Sequence, residues 1–193
     1  MVGNDLDLGG RALVLVTGAN QGGKSTFLRS FGAAQLLMQA GLCVPATHFS
    51  ASVCAGVFTH FRREEDRDLR SGKLNEELSR MSALIPRLRP GTLLLMNESF
   101  AATNEREGSE IAGEILRALI GHGVRVIFVT HLYALASARC AEGRADTLFL
   151  RAQREDDGAR TFRLEEGEPL PTAYGQDLYE RIFEGSCGAD GRG

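Results

Sequence analysis

The sequence predicts an α/β domain with a mostly parallel sheet, helices on both faces, and a C-terminal hairpin and helix. Short apolar runs alternate along the chain with longer segments whose apolar residues recur every three or four positions. Three of the short runs, at residues 13–17, 92–96 and 124–130, lead directly into polar or glycine-rich segments. Ligands on parallel sheets bind beyond the carboxyl ends of the strands, so we expect a functional site at that edge.

Each strand is predicted from a short run bounded by turn residues. The run at 13–17 is β-branched, and the run at 57–61 (VFTHF) alternates in the manner of a strand. TLLLM and VRVIFVT are continuously apolar, which is typical of strands buried on both faces. The predicted strands are 11–17, 57–61, 92–96, 124–130, 145–152 and 160–164, the last two forming a hairpin around 156–158.

Helices are predicted where one apolar stripe repeats at helical spacing. The segment 24–40 carries such a stripe on Phe27, Phe31, Ala34, Leu37 and Met38. In 73–88 and 105–121 the stripes are Leu74, Leu78, Met81, Leu84, Ile85 and Leu88, and Ile111, Ile115, Leu116, Leu119 and Ile120. A last helix is predicted at 174–183. The mixed-charge run 62–70 is expected to be a solvated loop.

Composition is consistent with one globular domain. The 193 residues are 43% hydrophobic, enough for a sizeable core. We assign 1–184 to the domain and 185–193 to a disordered tail. The net charge of -3 shows no basic footprint of a stand-alone nucleic-acid binder. Scattered cysteines, no signal peptide and no membrane-length apolar run lead us to expect a cytoplasmic protein without a membrane anchor.

The strongest motif follows the first strand and reads GANQGGKST. It fits the G-x-x-x-x-G-K-[ST] pattern, in which loop amides and a helix N-terminus surround a polyphosphate. Lys24 would reach the β and γ phosphates of ATP, and the Ser25 hydroxyl would ligate Mg²⁺. A glycine-rich turn that binds nothing is the alternative. The predicted binding residues are Gly18, Ala19, Asn20, Gln21, Gly22, Gly23, Lys24, Ser25 and Thr26.

Polar residues at the ends of two other strands are candidates for catalysis. Glu98 follows an apolar strand, where a nucleotide hydrolase keeps the carboxylate that activates water. Asn97 and Glu98 are candidate Mg²⁺ ligands with Ser25, although an amide lacks the charge of the usual aspartate. His131 would contact the γ-phosphate. The alternatives are an ordinary acid at a strand end and a structural histidine.

Ser71 and Gly72 precede a predicted helix and form a weaker candidate anion site. A plain N-cap serine explains them equally well. They lie far along the chain from the phosphate loop, so they would serve a nucleotide held by another subunit.

Together these segments resemble the ATPase domain of the MutS family of DNA mismatch-repair proteins, from about residue 4 to residue 183. GANQGGKST is similar to the family's G-P-N-M-G-G-K-S-T. LLLMNESFAATNEREG resembles its L-V-L-M-D-E…G-T…G stretch, and VTHLYAL resembles its A-T-H-Y motif. VPA, VFTHFRREED and YGQDLYERIF are similar to further family segments.

The resemblance implies an ABC-type P-loop NTPase that dimerises around two ATP molecules. Each site would combine the phosphate loop of one chain with Ser71 and Gly72 of the other. It also implies that Thr103, Asn104 and Glu105 lie near the subunit interface and that Asn4 lies close to the adenine. The aromatic residue that stacks on the base in the family would fall at or before residue 1, and DNA-binding domains would lie upstream of this chain.

Three departures from the family pattern indicate a divergent branch. Asn97 replaces an aspartate, the segment 71–74 (SGKL) replaces S-T-F, and 100–102 (FAA) replaces G-R-G. We therefore expect an Mg²⁺-dependent ATPase domain of a MutS-like DNA repair or recombination protein. The alternatives are an ATP-dependent dimerisation switch with little hydrolysis, and another ABC-type ATPase from a transporter or chromosome-maintenance protein.

Overall fold

The fold was analysed in a computed structural model that describes residues 2–18, 22–62, 72–154 and 160–170. Six strands in this part of the chain are β1 (Leu13–Thr17), β2 (Val57–Phe61), β3 (Leu93–Asn97), β4 (Arg125–Val129), β5 (Thr147–Arg154) and β6 (Arg160–Glu166). The α-helices are α1 (Lys24–Gln39), α2 (Lys73–Leu84), α3 (Glu105–Gly121) and α4 (Tyr133–Ala141).

The strands form one sheet in the order β2-β3-β4-β1-β5-β6. All neighbouring pairs are parallel except β5 and β6, which form an antiparallel pair. β1 lies between β4 and β5, so Leu13 is in register with both Val126 and Thr147. The predicted mostly parallel α/β architecture and its C-terminal hairpin are confirmed.

The core consists of two apolar layers, one on each side of the sheet. Leu13 and Leu15 point toward the layer formed with α2, α3 and α4. Val14 and Val16, the alternate residues of the same strand, point toward the layer that contains Leu28 of α1. This alternation is the period of two expected for a strand. Helices therefore cover both faces, and the continuous apolar runs are explained by burial on both sides.

The predicted helix α1 is present, and Phe27 and Phe31 of its apolar stripe pack against the core, but the deepest residues lie beside that stripe. The most deeply buried residues of this helix are Lys24, Leu28, Gly32 and Gln35, whereas the predicted stripe from Phe27 to Met38 is only partly buried. The helix turns this face inward because Gly32 allows a close approach to the sheet. A Cβ atom at position 32 would lie 2.5 Å from Leu95 Cδ1.

One helix boundary differs from the predictions, and one helix was not predicted. α2 ends at Leu84 and continues as a 3-10 turn over Ile85–Arg87. The turn contains Pro86, whose ring is incompatible with a continuing α-helix. This change leaves the side chain of Ile85 47% exposed rather than buried. α4 was not predicted, because its alanine-rich sequence (YALASARCA) has no strong apolar stripe.

Several predicted segments lie outside the described residues. They are the helix 174–183, the tail 185–193, the hairpin loop 156–158 and all of the charged run 62–70 beyond Arg62. The proposed boundary between domain and tail stays a prediction. Within the described ranges, every helix is too short or too polar to cross a bilayer.

Candidate functional site

The carboxyl ends of β1, β3 and β4 meet at one edge of the sheet. The Glu98 amide donates to the carbonyl of Val129 at 2.8 Å, and the Thr130 amide donates to the carbonyl of Val16 at 3.0 Å. These bonds hold the residues that follow each strand next to one another. The start of α1, the end of β3 and the residues after β4 therefore share one site.

Lys24 is buried at the start of α1, with only 5% of its surface exposed. Its Nζ donates to the carbonyl oxygen of Gly18, at a distance of 2.6 Å. Burial lowers the pKa of Lys24 to about 8, and the nearby charge of Glu98 partly opposes this effect. The ammonium group is therefore charged at neutral pH but poorly solvated, and it is positioned to exchange the carbonyl for an anion.

Gly18 has a backbone conformation and a close contact that disfavour any residue with a side chain. Its φ of 108° lies in the region that favours glycine. A Cβ atom there would also lie 2.8 Å from the backbone nitrogen of Ala152 in β5. The first glycine of the motif is thus required by the packing of the loop against the neighbouring strand.

Ser25 and Asn97 form a pair of oxygen donors beside Lys24. The Ser25 hydroxyl donates to Asn97 Oδ1 at 2.8 Å. Hydroxyl and amide oxygens are the hard ligands that Mg²⁺ accepts, usually together with water and phosphate oxygens. The pair is suited in chemistry and position to a magnesium ion. The described ranges contain no cluster of three or more His, Cys, Asp or Glu residues that could hold a metal, at this site or away from it.

Glu98 directs its carboxylate toward His131. Glu98 Oε1 lies 3.0 Å from His131 Nε2, and Oε2 lies 3.9 Å from Arg62 Nη1. The hydrogen bond with His131 lowers the pKa of Glu98, and burial opposes this effect. The carboxylate is ionised at neutral pH and 28% exposed. It can therefore accept a proton from a molecule bound at the sheet edge.

An exposed aromatic residue, Phe162, lies next to the phosphate loop. β6 is irregular here, because the pairing with β5 shifts register between Ala152 and Arg154. Phe162 adopts a φ of 58° and its surface is 48% exposed. Its Cβ and Cδ1 atoms lie 3.6 Å from the position that a Cβ of Gly23 would occupy. Sequence reasoning missed Phe162, because this bulge leaves no periodic signal.

Asn4 connects the N-terminal segment to the same bulge. Its Nδ2 donates to the carbonyl of Phe162 at 3.2 Å, and its Oδ1 accepts from the amide of Leu164 at 2.6 Å. Both ends of the amide are thus used to hold the backbone of β6. The structure places Asn4 beside Phe162, and contact with a base stays a prediction.

The remaining predicted residues either lie outside the described part of the chain or lie at the starts of α1 and α2. Ala19, Asn20, Gln21 and Ser71 lie outside the described residues. Thr26 is exposed in the first turn of α1, and Gly22 is buried. Gly72 is exposed in front of α2, and its carbonyl accepts from the amide of Glu76.

The segment 103–105, which is expected to lie near a subunit interface, caps two helices. Asn104 Oδ1 accepts from the amide of Glu107 at 3.0 Å at the start of α3. Glu105 Oε1 accepts from the amide of Ala134 at 3.0 Å, close to the start of α4. Thr103 donates its hydroxyl to the carboxylate of Glu107. These contacts fix the loop between β3 and α3.

Comparison with known proteins identifies the family. The family model described as MutS domain V matches residues 14–178. The chain belongs to the MutS family. MutS-family proteins are generally ATPases, and domain V is their ATPase region. The match starts inside β1 and contains the whole candidate site except Asn4.

Several MutS-family relatives align with most of this chain. The DNA mismatch repair protein MutS of Thermus thermophilus is 29% identical over 179 residues, which is 93% of this chain and 22% of that protein. Endonuclease MutS2 of Carboxydothermus hydrogenoformans is 29% identical over 187 residues, which is 93% of this chain and 24% of that protein. The DNA mismatch repair protein MutS of Chloroflexus aurantiacus is 30% identical over 139 residues, 69% of this chain and 14% of the relative. This MutS-family chain therefore spans less than a quarter of the length of these relatives.

Proposed function

We propose that this chain is the ATP-binding, Mg²⁺-dependent ATP-hydrolysing domain of a MutS-like DNA repair or recombination protein, with an ABC-type P-loop NTPase fold. The observation that carries the proposal is the convergence of Lys24, Ser25, Asn97, Glu98 and His131 at one edge of the sheet. A buried ammonium, a pair of oxygen ligands and an ionised carboxylate are the groups that phosphoryl transfer to water requires.

The phosphates of ATP bind at the start of α1. Lys24 releases the Gly18 carbonyl and donates to the β and γ phosphates, while the amides of the loop and the positive end of α1 face the same oxygens. An anion replaces a neutral carbonyl as the partner of a poorly solvated ammonium, which strengthens the interaction. Ser25 and Asn97 would hold the magnesium ion, which supplies positive charge to the phosphate oxygens when it is bound.

Glu98 orients the attacking water and accepts its proton. The hydrogen bond with His131 keeps the carboxylate ionised, so it is in the form that a general base needs. We propose that His131, which lies within hydrogen-bond distance of Glu98, also donates to the γ-phosphate. Exchange of His131 between Glu98 and the phosphate links nucleotide binding to the state of the base.

Phe162 stacks on the base of the nucleotide. The side chain is exposed beside Gly23. Base stacking on an aromatic ring contributes about 1–3 kcal/mol. We expect Phe162→Ala to weaken ATP binding by about tenfold while leaving the turnover at saturating ATP unchanged. A loss of turnover with unchanged affinity would contradict this role.

ATP binding joins two copies of this domain. Ser71 and Gly72 of one copy reach the phosphates held by the other, and the loop that contains Thr103, Asn104 and Glu105 lies at the contact. DNA is contacted by domains upstream of this chain. The relatives named DNA mismatch repair protein MutS and Endonuclease MutS2 support a role in DNA transactions.

A second function, an ATP-dependent dimerisation switch with little hydrolysis, is favoured by one observation. Asn97 already accepts the Ser25 hydroxyl through a neutral amide oxygen, so it brings no negative charge to the metal. If the switch is correct, ATP promotes dimerisation while phosphate release stays at the background level.

The deciding experiment measures ATP turnover per chain with Mg²⁺ over a wide range of protein concentration, with Glu98→Gln as control. Turnover that rises with concentration and is abolished by the control supports an active site built from two chains. Flat turnover that depends on Glu98 means that one chain suffices or that the dimer is saturated. Turnover equal to that of the control refutes ATP hydrolysis by this chain and leaves the switch.

A further inference from the structure

Four residues next to Glu98 form a buried cluster that is held together by polar contacts. They are His60 of β2, Glu77 of α2, and Ser99 and Phe100 after β3. His60, Glu77 and Ser99 are at most 3% exposed, and Phe100 is completely buried. None of the four belongs to the proposed nucleotide site, although two of them follow Glu98 in the chain.

The chain bends sharply where the cluster meets Glu98. Glu98 has a φ of 52° and Phe100 has a φ of 64°, a conformation that side chains other than glycine rarely adopt. The MutS-like pattern quoted above has glycine where this chain has Phe100, so the bend here forms without that freedom. Residues held in this way persist only when the surrounding structure fixes them.

Glu77 provides the most direct restraint on the bend. Its Oε2 accepts a hydrogen bond from the amide of Phe100 at 2.7 Å. The amide is buried, so it would be left without a partner if this carboxylate were removed, at a substantial cost in free energy. A long-range contact from α2 thus holds the backbone two residues after Glu98.

His60 completes the restraint from the side of β2. Its Nε2 lies 3.2 Å from the carbonyl of Glu77, and its Nδ1 lies 2.7 Å from the hydroxyl of Ser99. A neutral ring that carries its proton on Nε2 donates to the carbonyl of Glu77, and the Ser99 hydroxyl lies within hydrogen-bond distance of both Nδ1 and the carbonyl oxygen of His60. The ring also stacks on Phe100, with 5.6 Å between the ring centroids. Helix α2, strand β2 and the bend therefore form one connected unit.

We propose that Glu77 is a positioning residue for Glu98: by holding the amide of Phe100, it fixes the bend that directs the Glu98 carboxylate toward the bound nucleotide. This inference rests on the proposed function. Glu77 lies little more than one turn into α2, whose first residue follows Gly72. It therefore also connects the helix proposed to face the second nucleotide with the carboxylate that activates water.

The test compares variants at Glu77 with a matched control on the same helix. Glu77→Met removes the acceptor at similar volume, and Glu77→Gln keeps an acceptor oxygen. Met81→Ala, one turn further along α2, removes buried packing from the apolar layer that also contains Phe100, but it leaves the hydrogen bonds of Glu77 and His60 in place. A small displacement of a catalytic group costs up to about a hundredfold in rate, so we expect Glu77→Met to lower kcat by at least about tenfold.

Measuring ATP affinity and kcat separately distinguishes a positioning role of Glu77 from a general loss of stability. ATP affinity of Glu77→Met should stay within about threefold of the wild-type value, because the hydrogen bonds of Glu77 go to Phe100 and His60. Glu77→Gln should retain most of the turnover, and Met81→Ala should lose stability with kcat nearly unchanged. Unchanged turnover in Glu77→Met, an equal loss in Met81→Ala, or no rescue by Glu77→Gln would each overturn the proposal.

The hydrogen exchange rates of the Glu98 and Phe100 amides report on the stability of the bend and do not depend on turnover. We expect faster exchange at both amides in Glu77→Met and protection close to wild type in Glu77→Gln. If Glu77→Met does not fold, Glu77→Asp, which keeps the carboxyl group but shortens the side chain, takes its place. Wild-type turnover no higher than that of Glu98→Gln would refute the proposed function, whereas unchanged exchange in the Glu77 variant would refute the positioning role.

Discussion

Replacing Lys24 with methionine tests the electrostatics of the site in the absence of nucleotide. The wild-type protein keeps an ammonium group buried at the start of α1, where it donates to the carbonyl of Gly18. Methionine has a similar shape and no charge. We therefore expect Lys24→Met to abolish ATP binding and yet to make the nucleotide-free protein more stable.

The magnitude follows from the pKa of Lys24. Lowering this pKa from 10.5 to about 8 means that the fold disfavours the charged form by about 3 kcal/mol, at about 1.4 kcal/mol per pH unit. Methionine removes this penalty but leaves the Gly18 carbonyl without its donor, which costs about 1–2 kcal/mol. The expected gain in the free energy of unfolding is about 1–2 kcal/mol at neutral pH.

The gain should depend on pH with a definite sign. Between the folded pKa and the unfolded pKa, the unfolded wild-type chain binds more protons at Lys24 than the folded chain does. The wild-type protein is therefore penalised fully below about pH 8 and recovers stability as the pH rises toward 10.5. The advantage of Lys24→Met should shrink by about 2 kcal/mol between about pH 7 and about pH 9.5.

Urea denaturation of both proteins at several pH values measures this difference. Subtracting one curve of unfolding free energy against pH from the other cancels the contributions of the other groups that titrate at high pH. Added ATP and Mg²⁺ should stabilise only the wild-type protein, since a ligand stabilises the state that binds it. A variant that is less stable than wild type at neutral pH, with a difference that does not change with pH, would refute the view that the ammonium is held at a cost for phosphate binding.

Four further variants test neighbouring features. His131→Ala removes the hydrogen bond that lowers the pKa of Glu98 while burial still raises it, so the acid limb of the turnover profile should move to higher pH. Gly32→Ala forces a Cβ within 2.5 Å of the β3 leucine described above, and chemical denaturation should show a loss of about 1–3 kcal/mol. Gly113→Ala meets only an ordinary contact at 3.6 Å and should instead gain up to about 1 kcal/mol from helix propensity. Asn97→Asp restores a charged metal ligand, so half-maximal turnover should need less Mg²⁺ in a titration; an unchanged requirement would mean that position 97 does not contact the metal.

The local elements could be predicted because their signals are local. A strand buried on both faces needs a continuous apolar run, and residues 93–96 supply one wherever the strand lies in the sheet. The phosphate loop likewise carries its glycines, its lysine and its serine within one short segment. Since parallel strands place their ends at a common edge, the meeting of Lys24, Glu98 and His131 was also a reasonable prediction.

The contacts that complete the site depend on distant parts of the chain and leave no such signal. Glu77 and Phe100 are 23 positions apart, and their hydrogen bond exists only because α2 packs beside the end of β3. Phe162 reaches the phosphate loop through a bulge in β6 that no hydrophobic period records.

The inward face of α1 also shows the difference between local sequence signals and contacts made by distant segments. Its apolar side chains favour one face, but the close approach of Gly32 to Leu95 places another face against the sheet. The sequence by itself determined the elements, the sheet class and the phosphate loop, because propensity and period act over a few residues. Only the tertiary structure decided the strand order, the buried face of α1 and the partners of Glu98, because these depend on packing between segments far apart in the chain.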